Sequence, residues 1–361
     1  MHVVINRKEL IEHLSVLEMA LPGRVSFAPV EGVYMSREGD SLTLCANDLE
    51  MAIRLSTGDV KGEGEGATVL PKKFVQIVKQ LPGNDVGITV EKNRAEIVSG
   101  SSKFKLNCID AEEFPIFSDS YTESPSFEVE GRAIKEMIRK VAFCVSADIG
   151  KPMFMGVYIT NENGVLSCMA SDTYRLAWYK NLKVNYHEPF SLIVPGELLT
   201  KIGKIINDDD NVKIYIGERE LVLAIGGYVV STRLLDGKYP DLSNVLPEKP
   251  ETQTAIERQP LIDTINRAIL VVDKGTKTVS LAVNDCITVN AESELGRMNE
   301  ELPISFKGNL LEGIFINARY LLEGIKAVDG DTLHIDFHRE TGPIIVKEAG
   351  FRYLVLPIKA H

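Results

Sequence analysis

The chain has 361 residues, of which 44% are hydrophobic and 25% charged, values typical of a globular protein with two or three domains. No apolar stretch approaches the roughly 18 residues of a membrane span, and no secretory signal is visible at the N-terminus, so we expect a cytoplasmic protein. The formal net charge of −11 argues against nucleic-acid binding unless positive charge is concentrated locally.

The first third of the chain alternates short strands with two amphipathic helices. Apolar residues at helical spacing predict helices over 7–20 and 72–81. Period-two runs predict strands at Val3–Ile5, Gly32–Met35, Ser41–Cys45, Met51–Ser56, Ala67–Leu70, Val86–Val90, Ala95–Ser99 and Lys103–Cys108. The order of one strand, a helix and three strands occurs twice, which predicts an α+β fold built on a duplicated βαβββ unit.

This pattern recurs twice more along the chain. The second-helix signature at Val69–Leu81 returns at Ile193–Ile205 and Phe315–Ala327, at spacings of 124 and 122 residues. The first helix recurs as Arg7–Ala20, Arg132–Cys144 and Arg258–Val271. A strand leading into Asn or Ser and then Asp recurs at Leu42–Asp48, Leu166–Asp172 and Val279–Asp285. Because this period is the size of a small domain, we predict three repeated domains, at 1–121, 122–249 and 250–361.

Positive charge is concentrated on the six predicted helices. They carry 15 basic and 7 acidic residues, a net charge of +8, which leaves −19 for the rest of the chain. Basic side chains lie opposite the apolar stripes at Lys72, Lys73, Lys79, Arg132, Lys135, Arg139, Lys201 and Lys204. If the helices share one surface, these residues would contact phosphates without reading bases. The alternative is that exposed helix faces are Lys-rich only for solubility.

The sequence lacks the motifs of common catalytic and cofactor sites. It contains no P-loop, no GxSxG, no HExxH and no GxGxxG following a strand. His334 and His338 have metal-like spacing but belong to an alternating strand, and Asp208–Asp210 is a charged turn. The five cysteines are scattered without a CxxC pair, as free thiols in the cytosol would be. We therefore expect no catalytic residue, no metal and no cofactor.

Four segments resemble the bacterial DNA polymerase III beta subunit: Leu42–Met51, Ala170–Ala177, Leu235–Pro247 and Tyr353–Ile358. The resemblance runs the whole chain and implies the DNA clamp fold, in a ring-forming head-to-tail homodimer with twelve helices around the hole. It implies a processivity factor that encircles duplex DNA without sequence preference. The ring would tether the replicative DNA polymerase, the clamp loader and other proteins with clamp-binding motifs. The protein would be an accessory subunit rather than an enzyme.

The resemblance also implies three sets of site residues. The partner-peptide pocket would comprise Phe154, Ser171, Thr173, Tyr174, Arg175, Leu176, Pro240, Asn244, Val245, Leu354 and Leu356. DNA contacts would include Arg24 and Lys73. The dimer would join the strand near Phe104 and Leu106 to the helix end at Leu270 and Val271. The chain departs from the family at Thr173 and Tyr174, where Gly and His are usual, and at Asn244, often basic, so its peptide preference stays open.

Three alternatives remain at this point. A DNA-binding protein acting by direct contact, with or without sequence specificity, is the first; a specific one would need a recognition helix with base-reading side chains. The spread of basic residues over six helices argues against that form. An enzyme with an unrecognised site would need a pocket with perturbed titratable groups. A variant clamp, with its own loader or with inhibitor resistance, is the third.

Overall fold

The computed structural model describes residues 1–23, 27–58, 60–247, 249–273, 275 and 277–358. The predicted DNA contact Arg24 lies outside this part. The chain forms two compact units, one of 1–132 with 200–234 and one of 133–199 with 235–361.

Each of the six predicted helices is confirmed, with bounds that shift by a few residues. The first helices of the repeats are α1 (Arg7–Leu17), α3 (Gly131–Val141) and α5 (Arg258–Val271). The second helices are α2 (Lys73–Gln80), α4 (Gly196–Ile205) and α6 (Ala318–Lys326). The side chains of Asn6 and Asn317 accept backbone N–H groups in the first turns of α1 and α6, and so satisfy donors that a helix start leaves unpaired.

The strands follow the predicted threefold order. The first repeat contains β1 (His2–Asn6), β2 (Gly32–Glu38), β3 (Ser41–Asn47), β4 (Met51–Thr57), β5 (Lys61–Glu63), β6 (Gly66–Pro71), β7 (Asp85–Glu91), β8 (Arg94–Ser99) and β9 (Ser102–Asn107). The second contains β10 (Ser126–Glu130), β11 (Gly156–Glu162), β12 (Val165–Ser171), β13 (Arg175–Lys183), β14 (Phe190–Pro195), β15 (Asn211–Ile216), β16 (Glu220–Ile225) and β17 (Tyr228–Arg233). The third contains β18 (Thr252–Glu257), β19 (Thr278–Val283), β20 (Cys286–Ser293), β21 (Gly296–Pro303), β22 (Ser305–Gly308), β23 (Leu311–Asn317), β24 (Thr332–Phe337), β25 (Ile344–Glu348) and β26 (Phe351–Val355).

The first unit contains two antiparallel sheets, one of first-repeat strands alone and one that combines strands of the first and second repeats. One has the order β5-β1-β7-β8-β9, and the other β10-β15-β16-β17-β4-β3-β2-β6. The second sheet crosses from one repeat to the next where β17 pairs with β4, with Val230 opposite Ile53. Both residues are fully buried, so the joint between the repeats is part of the apolar core.

The second unit repeats this arrangement one step further along the chain. Its sheets have the orders β14-β11-β12-β13-β26-β25-β24-β18-β22 and β21-β20-β19-β23. Here β26 of the third repeat pairs with β13 of the second, with Tyr353 opposite Ala177. The two joints are therefore equivalent. In each, the last strand of one repeat (β17 or β26) pairs with the last strand of the first three-strand group of the preceding repeat (β4 or β13).

One of the three recurring sequence patterns, the strand that leads into Asn or Ser and then Asp, falls on a different strand of the repeat in its third copy, so that part of the predicted repeat alignment is wrong. The segments before Asp48 and Asp172 are β3 and β12, the second strands of their triplets. The segment before Asp285 is β19, a first strand, which pairs with β23 as β2 pairs with β6. Neighbouring antiparallel strands share the same alternation, so the pattern alone did not distinguish them.

The remaining sequence expectations concern thiols and membrane spans. All five cysteines are free. Among the described residues, no helix combines the length and hydropathy needed to cross a bilayer.

Candidate functional site

The turn between β12 and β13 is held by its own side chains. One carboxylate oxygen of Asp172 accepts the backbone N–H groups of Tyr174 and Arg175, both at 3.0 Å. The hydroxyl of Ser171 donates to the carbonyl oxygen of Arg175 at 2.7 Å. Thr173, where the family usually has Gly, has a φ of 78°, a region that β-branched residues rarely adopt. The turn therefore keeps the glycine-type backbone at the cost of local strain.

Arg175 anchors this turn to the rest of the second unit. Its side chain forms an ion pair with Asp172 at 2.9 Å and another with Glu323 of α6. It also donates to the carbonyl oxygen of Phe143 at 2.9 Å and lies 4.2 Å from the ring centroid of Tyr320. Arg175 is only 7% exposed, so it supports the predicted pocket from below rather than lining its surface.

A buried apolar cluster lies beside the turn. It contains Met169, Leu176, Ile193, Tyr239, Ile345 and Leu354. The predicted pocket residue Phe154 packs against this cluster, with its ring centroid 5.8 Å from that of Tyr239. Strands β12, β13 and β26 and the segment after β17 thus meet at one apolar floor.

Several predicted pocket residues near this floor in sequence have exposed apolar side chains. Tyr174 is 59% exposed, Val245 45% and Leu356 42%, high values for residues of this type. Pro240 and Asn244 are also exposed. All the predicted pocket residues therefore lie in the second unit, and those with exposed apolar side chains are close in sequence to residues of the buried floor.

Two buried cysteine thiols lie near this floor. Burial raises the pKa of the Cys144 and Cys168 thiols far above the usual value, so both are protonated at neutral pH. Neither of these two thiols is therefore an activated thiolate. Across the described ranges, no three His, Cys, Asp or Glu residues group as metal ligands would.

The predicted DNA-contact residues of the first unit differ in how their charges are used. Lys72 and Lys73 are exposed and hydrogen-bond to neutral oxygens, at Pro22 and Gln76. Lys204 and Arg132 are also exposed. By contrast, Lys79 pairs with Glu18 of the same unit at 2.6 Å, and Lys201 lies 4.0 Å from Asp48. Of the predicted contacts in this unit, Lys72, Lys73, Arg132 and Lys204 are therefore the exposed ones without an ion pair among the described residues.

In the second unit, the two predicted DNA contacts lie on α3. Lys135 is partly buried. Arg139 pairs with Asp329 at 2.6 Å, so its charge is compensated locally. The sequence count of +8 on the helices could not reveal such pairs, because their carboxylates come from distant parts of the chain.

The predicted dimer residues lie at exposed sheet edges and one helix end. Phe104 of β9 is 39% exposed, and Leu270 near the end of α5 is 77% exposed. Leu106 and Val271 are partly buried. The sequence did not single out Leu295, which is 84% exposed in the hairpin between β20 and β21. That hairpin touches the same helix end, since the Ser293 hydroxyl donates to the carbonyl oxygen of Val271.

Comparison with family models identifies three consecutive domains. Residues 1–118 match the DNA polymerase III beta subunit N-terminal domain, 128–241 the central domain and 243–359 the C-terminal domain. The matches cover nearly the whole chain in the family order. They agree with the predicted number of repeats, although they do not test the exact boundaries predicted above.

Relatives and solved structures agree with the family models. The beta sliding clamp of Staphylococcus aureus is 28% identical, covering 100% of both chains. The DNA polymerase sliding clamp of Bacillus subtilis is 26% identical, with a TM-score of 0.95 over 100% of both chains. A sliding clamp of Pseudomonas aeruginosa bound to griselimycin is 22% identical, with a TM-score of 0.93, and supports the fold alone. The chain therefore belongs to the DNA polymerase III beta-subunit family, the sliding clamps that serve the DNA polymerase as accessory processivity factors rather than as enzymes.

Proposed function

We propose that two copies of this chain join head to tail into a ring that encircles duplex DNA and tethers the replicative polymerase and the clamp loader. The observation that carries this proposal is the repeated joint. Strand β17 pairs with β4, and β26 pairs with β13 in the equivalent way. The strands at the equivalent positions that remain are β9, the last strand of the first repeat, and β21, which corresponds in the third repeat to β4 and β13. Each lies at the end of its sheet and has no partner strand on one side. Pairing β9 of one copy with β21 of another closes the series.

The burial of equivalent residues supports this joint. Phe104, Val230 and Tyr353 are each the third residue of the last strand of a repeat. Val230 and Tyr353 are fully buried in the joints within the chain, whereas Phe104 is 39% exposed. A partner strand at β9 would bury Phe104 as its two counterparts are buried.

The charges of the two free edges are complementary. Strand β9 carries the exposed Lys103 and Lys105, which share the single carboxylate of Glu96, so one positive charge is in excess. Strand β21 carries Glu300, which pairs with Arg267, and the exposed Glu301, which has no ion pair among the described residues. Opposite charges across an antiparallel pair favour its formation, and they disfavour pairing of two identical edges. We infer that the predicted contact at Leu270 and Val271 belongs to the same interface, since the β20–β21 hairpin touches that helix end.

The ring explains how a chain with a net charge of −11 can serve DNA. Topology holds a closed ring on DNA, so strong phosphate contacts are unnecessary. Weak contacts from residues such as Lys72 and Lys73 permit sliding. The predicted domain bounds of 1–121, 122–249 and 250–361 and a cytoplasmic location belong to the same proposal.

The apolar site of the second unit is the proposed docking site for partners. Its exposed rim at Tyr174, Val245 and Leu356 would take the Leu and Phe anchors of an extended peptide. Polymerase, clamp loader and other clamp-binding proteins would compete for this site.

The decisive experiment compares retention on circular and linear DNA of the same sequence. The protein is loaded with a cognate clamp loader and ATP, and the complex is passed through gel filtration at moderate salt. Retention on the circle and loss after a single cut is the expected result. Equal retention on both forms would overturn the ring and support direct contact, the alternative function.

A further inference from the structure

A second cavity lies next to the apolar site, on the sheet formed by β11, β12 and β13. Its volume is about 400 Å³, within the range of ligand pockets. Strand residues form its floor, and the segment from Lys238 to Leu242 forms one wall. None of the residues predicted for the partner pocket lines it except Pro240.

The cavity continues the apolar site. Met169 and Tyr239 belong to the buried cluster and also line the cavity. Tyr158 stacks on Tyr239, with ring centroids 5.0 Å apart and planes within 4°. Tyr239 thus contributes to both sites, which places the cavity directly beside the apolar floor.

Trp178 provides an aromatic surface in this cavity. It is the only tryptophan of the chain, is half-buried, and donates from its indole N–H to the Ser167 hydroxyl at 2.7 Å. The hydrogen bond satisfies the only donor of the ring and fixes its orientation. The ring therefore needs no polar partner from a ligand and suits an aromatic or aliphatic side chain.

The charged residues at the rim of the cavity indicate which charged group a ligand would carry next to that side chain. Lys180 and Lys238 are exposed, and neither forms an ion pair within the described part of the chain. Lys180 lies opposite Ser167, beside Trp178, whereas Glu162 lies opposite Val165 at the end of β11. Asp241, the other acidic residue of the lining, already has a partner. The uncompensated charge nearest the tryptophan is therefore positive.

We propose that this cavity is an extension of the partner-peptide site, which takes an aromatic residue and an adjacent carboxylate from the sequence flanking the Leu and Phe anchors. The aromatic side chain packs on Trp178, and Lys180 and Lys238 attract the carboxylate. This inference rests on the proposed peptide docking. The extension would help to determine which partner peptides bind, beyond what the Leu and Phe anchors alone can distinguish.

The test uses full-length protein and labelled tryptophan-free peptides. One peptide carries only the Leu and Phe anchors, and others add Phe-Asp or Phe-Lys before or after them. Affinity is measured by fluorescence anisotropy, and Trp178 emission is recorded in parallel. We expect Phe-Asp on one side of the anchors to strengthen binding about tenfold and to shift the emission of Trp178 to shorter wavelength. Phe-Lys should gain much less.

Two variants test whether Lys180 and Lys238 cause the gain in affinity from Phe-Asp. The double change Lys180→Glu and Lys238→Glu should abolish the gain from Phe-Asp while leaving affinity for the anchor peptide within about twofold. The matched control, Lys61→Glu with Lys92→Glu, alters two exposed lysines outside the cavity lining and should keep the gain. Neither variant removes an apolar side chain, and thermal unfolding checks that each is folded.

The outcomes separate the two proposals. Binding of the anchor peptide with no gain from either extension and no change in Trp178 emission would overturn the extension and leave the docking site intact. An equal gain from Phe-Lys would overturn the role of the lysines. Failure of the anchor peptide to bind the protein at all would overturn the docking site and the extension together.

Discussion

The backbone N–H of Leu356 donates to the carbonyl oxygen of Tyr174 at 2.9 Å. This bond continues the pairing of β26 with β13 beyond Val355, the last residue of the strand. It fixes Leu356 against the turn that follows β12. Two exposed apolar side chains from distant parts of the sequence therefore belong to one rim.

This relationship predicts that Leu356→Ala weakens binding of the anchor peptide about tenfold, since a buried leucine contact is lost. The backbone bond to Tyr174 persists, so the melting temperature should change little. Leu310→Ala is the matched control, because Leu310 is 64% exposed outside the site. Anisotropy titrations measure the affinities. An unchanged affinity for Leu356→Ala would show that this rim does not contact the peptide.

The proposed interface predicts that Phe104→Asp dissociates the dimer. A charge at a position that the partner strand would bury should raise the dimer dissociation constant by at least about a hundredfold. Val98→Asp is the control, because Val98 is 40% exposed but belongs to the opposite face of the same sheet. Sedimentation equilibrium reports the mass, and thermal unfolding confirms that each variant is folded. A dimeric Phe104→Asp protein would rule out the β9 edge.

The exposed lysines at the start of α2 predict a salt-dependent contribution to DNA binding. Lys72→Glu with Lys73→Glu should weaken binding to linear duplex DNA and reduce the slope of log affinity against log salt by about 1 to 2. Lys61→Glu with Lys92→Glu, away from the helices, should leave the slope unchanged. Titrations at several salt concentrations decide the matter. A common slope for all three proteins would assign Lys72 and Lys73 to solubility.

A buried lysine in the second unit predicts a pH effect on stability. Lys140 is 1% exposed and pairs with Asp329 at 2.9 Å and with Glu348. Burial is the largest single effect and raises the pKa of both carboxyls. It is outweighed by the hydrogen bonds and charge of Lys140 together with Arg139 at Asp329 and with backbone N–H groups at Glu348, so both pKa values are lowered. The stability from these pairs is complete above the usual carboxyl pKa and is lost as the pH falls through the lowered values.

Lys140→Met should therefore lower the free energy of unfolding at pH 7 by about 1 to 3 kcal/mol, a reduced value because the carboxylates are partly exposed. The difference between the variant and the parent should shrink as the pH falls from 5 to 3. Denaturant unfolding at each pH measures it. A difference that stays constant with pH would mean that packing of the lysine chain, rather than its charge, stabilises the unit.

The sequence predicted local structure and repeat order well because both depend on short-range periodicity. All six helices and the three-strand groups of the first repeat are where the patterns indicated. Pairings between repeats have no such local pattern. The joint of β17 with β4 brings together residues more than 170 positions apart, as Val230 opposite Ile53 illustrates.

The predicted site depended on the resemblance rather than on spacing. Physical reasoning alone could not assign Arg175 to a supporting position, because its partner Glu323 lies on α6, in another repeat. The cavity at Trp178 was missed for a related reason. Its floor is ordinary strand alternation, and only the return of the segment at Lys238–Leu242 makes it concave.

The joint between β17 and β4 affects how the protein responds to a chain break. A protease cut between the end of β9 and the start of β10 would sever the polypeptide between the first two repeats, yet the eight-stranded sheet would still hold β4 and β17 side by side. The fragments should therefore remain associated under native conditions and separate only in denaturant. The repeats are distinct in sequence, but they are not detachable modules.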